Sequence, residues 1–319
     1  MFYTVTLNPA LDIFIDAPDF VPGAVNIATG FRRVSGGKGI NVARMLNSLG
    51  APCIACGIAC GAAGDSLLFG LDDEGMSHDF VRSGGETRTN IKITDTNSGI
   101  TTDVNQVGAA LSQSALDELF ARLTERVQKG DTVALCGSLP KGVDDGIYAK
   151  WIKQLKSLGA NAALDTSKNP LLLGISACPS IIKPNIAELG ATMGKQINTA
   201  KQALKECRRI TDSGVGLVAL SLGESGALFV RSGESAFVPG LRVEVRSTTG
   251  AGDSLLAGLL FALSKEYDLK SAAAFAVAIS AARISTAPGE TLEADTIQRL
   301  FEEAKLKMAG VELENAFYE

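Results

Sequence analysis

Apolar and polar positions follow a helical period and a strand pattern in turn along most of this chain. From about residue 113 onward, amphipathic segments such as SALDELFARLTERVQKG alternate with short apolar runs such as DTVALC and GLVALS. Short apolar runs bounded by turn signals are typical of buried strands, and their alternation with helices predicts a mostly parallel sheet covered by helices on both faces. The sequence therefore predicts an α/β fold that binds ligands beyond the carboxyl ends of its strands.

The first third of the chain has a different pattern. Short alternating stretches rich in Thr and Asn, such as DIFIDAP and TRTNIKITDTNSGITTDVNQ, fall within residues 12–33 and 86–108. Alternation with turn signals between the stretches predicts antiparallel strands outside the main sheet, which we interpret as a small β lid. Since no repeat or low-complexity linker separates them from the rest, we expect residues 1–319 to form a single domain from which the lid extends.

Composition narrows the class of protein. The chain has 319 residues, of which 46% are apolar, and a formal net charge of -5. This is enough apolar material for a full core, and the charge gives no general attraction to nucleic acid, for which we expect no role. The N-terminus does not resemble a signal peptide and no apolar run reaches membrane-spanning length, so we expect a cytoplasmic protein without a membrane partner.

Cysteine and histidine usage limits the possible chemistry. The segment CIACGIAC has a metal-like spacing, but a structural zinc site needs four ligands and the only histidine is His78. We interpret the segment as a buried strand with reduced thiols. A single histidine also argues against Ser-His-Asp and Cys-His catalysis, so that proton transfer would fall to a carboxylate or a lysine.

A glycine turn near residue 250 is the most informative local feature. In RSTTGAGDSLLAGLLFALS, Asp253 directly follows Gly250-Ala251-Gly252 and precedes an apolar helix. An Asp in this place is typical of a helix N-cap. A glycine-rich helix start also gathers free N–H groups that hold anions, beside which a carboxylate could act as a general base. The two interpretations are compatible, and one residue could play both parts.

Other polar groups follow strands or turns, and each is a weak signal alone. GGKGIN carries Lys38 and Asn41, Arg88 lies in a Thr-rich strand, and Ser138 follows a buried strand. In IIKPNIAEL, the spacing of Asn185 and Glu188 suits a hydrated magnesium ion. GATMGKQ is one spacer short of a phosphate-binding P-loop, and no G-x-G-x-x-G follows the first strand, which argues against a dehydrogenase.

Taken in order, several motifs of this chain closely resemble those of one enzyme family. TLNPALD, SGGKGINVAR, TRTNIKI, GSLPKG, KPNIAEL, SLGESGA and STTGAGDS resemble the ribokinase-like sugar kinases of the phosphofructokinase B type, from residue 4 to about residue 290. The resemblance implies a ribokinase-like fold and an enzyme that uses ATP and Mg²⁺ to phosphorylate a sugar phosphate. GGKGINVAR with TRTNIKI is most similar to the members that convert fructose 1-phosphate to fructose 1,6-bisphosphate.

Alternatives to this function stay open. Kinases of tagatose 6-phosphate and of fructose 6-phosphate belong to the same family. A sugar-phosphate sensor without catalysis is less favoured, because it would have little reason to retain the base, the anion site and the metal motif together.

The resemblance also implies roles at matching positions. Asp253 would be the general base, beside an anion hole formed by the N–H groups of Gly250, Ala251 and Gly252. The sugar-phosphate substrate would be bound by Asp12, Gly37, Lys38, Asn41, Arg88 and Ser138. The nucleotide would be bound by Lys183, Asn185, Ser221, Gly223 and Glu224, and magnesium by Asn185 and Glu188 through water. An exposed lid sheet also favours pairing, so we expect a homodimer through the lid.

Overall fold

The computed structural model describes residues 1–287 and 290–308. Its strands are β1 Phe2–Thr6, β2 Ala10–Asp16, β3 Gly30–Gly36, β4 Cys53–Cys60, β5 His78–Ser83, β6 Arg88–Thr94, β7 Thr101–Val104, β8 Thr132–Cys136, β9 Asn161–Asp165, β10 Ile181–Ile182, β11 Leu217–Ser221, β12 Gly226–Arg231 and β13 Glu234–Pro239. Its α-helices are α1 Lys38–Ser48, α2 Gly61–Asp73, α3 Gln113–Arg126, α4 Ile147–Ser157, α5 Lys168–Ser176, α6 Ile186–Met193, α7 Ala200–Asp212, α8 Ala251–Ser264, α9 Leu269–Ser285 and α10 Ala294–Met308. A short 3₁₀ turn spans Gly223–Ser225.

The larger sheet is mostly parallel, as the alternation of strands and helices predicts. Within the described residues it has nine strands in the order β13-β12-β11-β10-β9-β8-β1-β4-β5. The strand pairs from β5 to β11 are parallel, and β12 and β13 add an antiparallel hairpin at one edge. β1 lies in the interior of the sheet between β4 and β8, so the first strand of the chain is paired on both sides.

Hydrophobic side chains fill both faces of this sheet. Phe2 and Ala134 point into one cluster together with side chains of α1, α2, α8, α9 and α10. Tyr3 and Val133 point into a second cluster with α3, α4, α5 and α7. Because neighbouring residues of a strand face opposite sides, each buried strand contributes to both cores. The prediction of a sheet covered by helices on both faces is confirmed.

Helices α8 and α9 approach each other closely at Gly258. A Cβ atom added to Gly258 would lie 3.0 Å from Ile279 Cβ and 3.1 Å from the Ala276 Cα atom. Both are backbone or branch-point atoms that cannot swing away, so a residue without a side chain is needed at this crossing. The contact fixes where the N-terminus of α8 lies relative to the sheet.

The lid is a separate four-stranded sheet in the order β3-β2-β6-β7. Its strands fall largely within the two expected segments, but the prediction that they are all antiparallel is wrong, because β2 and β6 pair in parallel. β2 follows β1, and β6 follows β5, and β1 and β5 run in the same direction in the large sheet. β2 and β6 therefore both start near the carboxyl ends of strands of the large sheet and extend in the same direction.

The two faces of the lid differ in chemistry. Directly opposed residues lie on one face of a sheet, so the register assigns Ile13, Ile15, Phe31, Ile91, Ile93 and Val104 to a common side, which we call the apolar lid face and which also carries Arg33 and Thr102. Phe31 and Val104 are exposed, and the four isoleucines are only half-buried. The other side carries Asp12 and Asn90.

Local details confirm some predictions and correct others. Cys53, Cys56 and Cys60 are buried free thiols on β4, as interpreted from the sequence. The spacing of Ser114 and Asp117 in the sequence predicts a capping box at the start of α3, but the helix is capped two residues earlier by Ser112, whose Oγ accepts from the Ala115 N–H at 3.2 Å. Gly50 follows α1 with a φ of 73°, as expected of a glycine that ends a helix. None of the described helices is both long and apolar enough to cross a membrane, and the cytoplasmic location stays a prediction.

Candidate active site

The glycine turn places Asp253 inside the first turn of α8. Gly250 has a φ of 82° and is the N-cap residue, so the helix begins at Ala251 and Asp253 is its third residue. The prediction that Asp253 caps the helix is therefore wrong, because the left-handed glycine makes the turn and the helix starts earlier. The Asp253 side chain is instead turned inward, and the residue is only 7% exposed.

Asp253 is surrounded by charged and polar groups. Its Oδ2 accepts a hydrogen bond of 2.8 Å from Asn41 Nδ2 on α1. Burial, followed by the nearby charge of Asp165, raises the pKa of Asp253 to about 6, although Asn41, Lys38 and Lys183 act in the opposite direction. The carboxyl is thus a stronger base than an exposed aspartate and is still ionised for the most part at neutral pH.

Lys38 enters the site because α1 begins next to β1. Gly37 caps the helix with a φ of 134°, and a Cβ on it would lie 2.7 Å from Thr6 Cγ2, so glycine permits this close approach. Lys38 Nζ lies 2.9 Å from Asp165 Oδ1 and 3.9 Å from Glu188 Oε1. Burial disfavours its charged form, but the two carboxylates outweigh that effect and the pKa of Lys38 is raised. Lys38 is therefore a permanent cation here.

Asp165 was not identified from the sequence, although the structure makes it the central counter-ion of the site. It ends β9, has no exposed surface, and lies between Lys38 and Lys183, whose Nζ atom is 3.4 Å from Asp165 Oδ2. The sequence contains a signal that could have identified Asp165, because the apolar strand NAALD ends on this carboxylate and ligands bind beyond the carboxyl ends of parallel strands. Buried charges need partners, but the sequence does not show which lysines supply them.

A cavity of about 370 Å³ collects most of the predicted catalytic, nucleotide and metal residues. Its lining consists of Lys38, Lys183, Asn185, Glu188, Ser221, Thr248, Gly250, Ala251, Gly252 and Asp253. A Cβ on Gly252 would lie 3.3 Å from Lys183 Nζ, so the ammonium group rests against the start of α8. First-turn N–H groups have no partner within their helix, and together with two lysines they form a site suited to a phosphate.

The structure limits how magnesium could be held. Asn185 and Glu188 form a reciprocal capping box for α6, in which Asn185 Oδ1 accepts from Glu188 N–H at 2.8 Å and Glu188 Oε2 accepts from Asn185 N–H at 2.9 Å. Glu188 Oε1 takes no part in the capping box and lies 3.9 Å from Lys38 Nζ. Among the residues that the structure describes, no group of three or more Asp, Glu, His or Cys side chains could hold a metal. The oxygens present fit a Mg²⁺ that keeps most of its water ligands.

Seven predicted site residues lie outside this lining, namely Asp12, Gly37, Asn41, Arg88, Ser138, Gly223 and Glu224. Asn41 bonds Asp253 with its NH₂ group, while its Oδ1 accepts from Arg44 at 3.0 Å. The structure places Gly223 and Glu224 in the 3₁₀ turn after Ser221, and neither is among the described residues that line the cavity.

Asp12 lies on the polar face of the lid. Its Oδ1 accepts a hydrogen bond of 2.8 Å from Asn90 Nδ2, and burial raises the pKa of its carboxyl. A Cβ on the neighbouring Gly36 would clash with Asp12 Oδ2, so the glycine gives this carboxylate its space.

Arg88 lines a second cavity of about 580 Å³ together with Gln106 and the turn from Ser83 to Glu86. The guanidinium is half-buried, its Nε is buried without a hydrogen-bond partner, and burial lowers the pKa of the group. Among the described residues, no carboxylate lies within salt-bridge distance of Arg88, although the charge of Asp12 acts on it and partly offsets the effect of burial on its pKa. Ser138 Oγ accepts from Asn8 Nδ2 at 3.2 Å and lines neither cavity. An arginine without a direct salt bridge beside a cavity is typical of an anion site.

Comparison with known proteins agrees with this geometry. The model of the pfkB family carbohydrate kinases matches residues 5–294. The 1-phosphofructokinase of Rhodobacter capsulatus is 40% identical over 280 residues, which are 87% of this chain and 88% of that protein. Phosphofructokinase-2 from Escherichia coli, solved in complex with substrates and products, superposes with a TM-score of 0.89 at 29% identity and covers 95% of this chain and 99% of its own. The tetrameric inhibited form of that enzyme also gives a TM-score of 0.89 at 29% identity, over 95% of this chain and 98% of its own.

Proposed function

Because the chain belongs to the pfkB family of carbohydrate kinases, we propose that it transfers the γ-phosphoryl group of ATP to fructose 1-phosphate and forms fructose 1,6-bisphosphate. The choice of sugar is supported by the Rhodobacter capsulatus relative, which is named for that reaction. The observation that carries the chemistry is the buried Asp253 carboxylate at the start of α8, facing two lysines across a cavity.

The first step uses Asp253 as a general base. One carboxylate oxygen takes the proton of the attacking sugar hydroxyl while Asn41 holds the other oxygen at 2.8 Å. The hydroxyl oxygen forms its bond to the γ-phosphorus as the bond from that phosphorus to the ADP oxygen breaks, and ADP leaves with that electron pair. A base with a pKa of about 6 suits this task, because it is ionised at neutral pH and still basic enough to share the proton.

The negative charge that moves during transfer is met by fixed positive groups. The N–H groups of Gly250, Ala251 and Gly252 and the ammonium of Lys183 lie at one end of the cavity, and Lys38 lies on its wall. The Ala251 N–H also donates to the Thr248 backbone oxygen at 3.4 Å, which is a long hydrogen bond. These groups are already oriented before the reaction, which is the main source of catalysis in phosphoryl transfer. Magnesium would neutralise charge on the ATP phosphates, held through water by Asn185 and Glu188.

The phosphate already present on the sugar is assigned to Arg88. A half-buried guanidinium without an ion pair gains most from a dianionic ligand, and the neighbouring Gln106 and glycine turn offer further polar groups. Asp12 would bind sugar hydroxyls from the polar face of the lid, with the Gly37 backbone beside it. Ser221, Gly223 and Glu224 remain the proposed nucleotide side.

A coupled ADP-release assay tests this function. The protein is given magnesium-ATP with fructose 1-phosphate, tagatose 6-phosphate or fructose 6-phosphate, and Asp253→Asn is the matched variant because it keeps the size of the side chain. We expect a preference for fructose 1-phosphate and a loss of roughly 10² to 10⁴ in kcat for the variant.

The pH dependence provides a second readout of the same experiment. Because the ionised form of Asp253 is the active one and its pKa of about 6 belongs to the ligand-free protein, kcat/KM for the sugar phosphate should fall below a pH of about 6 and be level above it. Turnover of Asp253→Asn near that of the unchanged protein would contradict the assignment of the base. Preference for a 6-phosphate would replace the sugar and leave the mechanism intact, whereas ATP binding without turnover of any of the three sugars would favour a sensor.

A further inference from the structure

Arg44 connects the base of the lid to the site through all of its guanidinium nitrogens. It lies one turn after Asn41 on α1, and its Nη1 donates to Asn41 Oδ1 at 3.0 Å. Its Nη2 donates to the backbone oxygen of Ser35 at the end of β3, at 2.8 Å. The Nε and Nη2 atoms also bind the two carboxylate oxygens of Glu74, the residue that ends α2, at 2.6 and 3.0 Å.

These contacts determine which way the Asn41 amide points. The amide has a donor end and an acceptor end of nearly equal size, so packing alone does not choose between two orientations. Arg44 can only donate hydrogen bonds, and the ionised Asp253 carboxylate can only accept them. With both neighbours in place, Oδ1 must face Arg44 and Nδ2 must face Asp253, which is the observed arrangement.

We propose that Arg44 is a positioning residue for phosphoryl transfer, which fixes the orientation of the Asn41 amide and so keeps a donor on Asp253 Oδ2. The proposal rests on the proposed function, since it takes Asp253 as the base. Arg44 itself is held in place by its paired contacts to Glu74. The other oxygen of Asp253 is thereby left for the proton of the substrate.

Loss of Arg44 removes the reason for that orientation. If the amide turns, its Oδ1 faces Asp253, and this contact is favourable only when the carboxyl is protonated and can donate. The other groups that act on Asp253 are Asp165, Lys38, Lys183 and the Cys136 thiol, and Arg44 is also near the cation Arg283 on α9. None of these is altered by a substitution at Arg44. The pKa of Asp253 should therefore rise, and less of the base should be ionised at neutral pH.

The pH profile of kcat/KM for the sugar phosphate tests this positioning role. Arg44→Met keeps an unbranched stem and removes every donor, and Arg122→Met on α3 is the control, since Arg122 is also ion-paired but to Glu118 and Asp79 on the surface. For Arg44→Met we expect the acidic limb of the profile to move up by about one pH unit, which is about a tenfold loss of kcat/KM below pH 6 that shrinks as the pH rises. The profile of Arg122→Met should match that of the unchanged protein.

A double-variant cycle separates positioning from a merely structural effect. In the background of Asn41→Leu, adding Arg44→Met should leave the limb where it is, because the amide to be oriented is already gone. If Arg44 only braces Ser35 and the lid, the second substitution would lower kcat equally in both backgrounds. Should Arg44→Met fail to fold, Arg44→Gln serves instead, because its amide can present either end to Asn41 and is expected to shift the limb in the same direction.

The outcomes for Arg44 and for the base are distinguishable. An unshifted limb in the folded Arg44 variant, together with a limb near pH 6 in the unchanged protein and an inactive Asp253→Asn, overturns the role of Arg44 alone. If Asp253→Asn is active and keeps the acidic limb, the assignment of Asp253 as the general base is overturned, and the proposed function with it. A shifted limb that disappears in the Asn41→Leu background supports the proposal.

Discussion

At the scale of single residues, four buried or half-buried charged groups balance one another's charge in the candidate site. Asp165 neutralises part of the charge of Lys38 and of Lys183, and in doing so makes ionisation of Asp253 more costly. A site with two cations and two acids close together carries little net charge before its ligands bind. The added anionic phosphates then meet lysines that are already fixed in position.

The raised pKa of Asp253 predicts a gain in stability on its removal. The folded-state pKa of about 6 lies above the ordinary value of 3.8, so the folded protein holds a proton more firmly than the unfolded chain does. This group therefore favours folding below about pH 4, and that contribution is lost as the pH rises to about 6. Above about pH 6, the free energy of unfolding of Asp253→Asn should exceed that of the unchanged protein by up to about 3 kcal/mol, since each unit of pKa difference corresponds to about 1.4 kcal/mol.

Chemical denaturation at several pH values measures this difference. The gain should be near zero at pH 4 and reach its full size by pH 7. A variant that is less stable than the unchanged protein at neutral pH would show that the Asp253 carboxylate is well stabilised by its cations, contrary to the raised pKa.

Arg88 gives a prediction about binding. Replacing it with Ala removes the guanidinium from the second cavity and should raise the KM for the sugar phosphate by about 10- to 100-fold, as expected for a charge-assisted contact of about 1.5–3 kcal/mol. The KM for ATP should change little. Steady-state kinetics with each substrate varied in turn checks this, and an unchanged KM for the sugar phosphate would place its phosphate elsewhere.

Sequence reasoning identified residues whose chemistry is visible in a motif and missed those defined by a distant partner. Asp253 and Lys38 follow glycine turns, and such turns are recognisable locally. Asp165 and Arg44 act through contacts that cross from one element to another, and nothing in a single strand or helix records them. The same limit explains why Asp253 was wrongly predicted to be the N-cap of α8, since the left-handed conformation of Gly250 decides where that helix begins.

At the scale of elements, the strands and helices themselves were largely predictable from their periods. The amphipathic segment SALDELFARLTERVQKG contains most of α3, the apolar runs DTVALC and GLVALS contain β8 and β11, and the apolar helix expected after the glycine turn is α8. The direction of β6 was not predictable from its own residues, because alternation gives the faces of a strand but not its neighbours. Its direction is set by how the chain leaves the large sheet.

The α8–α9 crossing gives a prediction at this scale. Gly258→Ala would ordinarily favour a helix by about 0.8–1 kcal/mol. Here the new methyl group would lie 3.0 Å from Ile279 Cβ, so the helices must separate, and overpacking of this kind costs about 1–3 kcal/mol. We expect a lower Tm and a lower kcat, since α8 carries Asp253. Thermal unfolding measures the sign of the change in Tm, and a raised Tm would show that the crossing has space for the added methyl group.

At the scale of the whole molecule, the two faces of the lid point to two different functions, one in substrate binding and one in contact with another chain. Its polar face carries Asp12, and its apolar lid face is left without cover in the described residues. An unpartnered sheet face with aromatic and β-branched side chains is typical of an interface. The expectation of one domain over residues 1–319 also belongs to this scale and stays a prediction, with residues 288–289 and 309–319 lying outside the described ones.

We propose that two copies of this chain pair through the apolar lid face. Phe31 is 59% exposed at its edge, so Phe31→Lys should bury a charge in the pair and shift the protein toward the monomer. Leu172→Lys on α5 is the matched control, because Leu172 is 46% exposed and lies outside the lid. Sedimentation velocity measures the shift, and a monomeric unchanged protein at working concentration would contradict the proposal.

The hydrogen bond between Asn41 and Asp253 joins residues that are 212 positions apart. A ribosome adding about 5–20 residues per second needs about 10 to 40 seconds to travel that distance. Throughout this time the emerging chain already carries Lys38 and the interior strand β1, while the helix that completes the site has not been made. Every newly made molecule therefore passes through a nascent stage in which strands of the large sheet lack some of the helices that cover them, and exposed apolar surface of this kind is prone to aggregation.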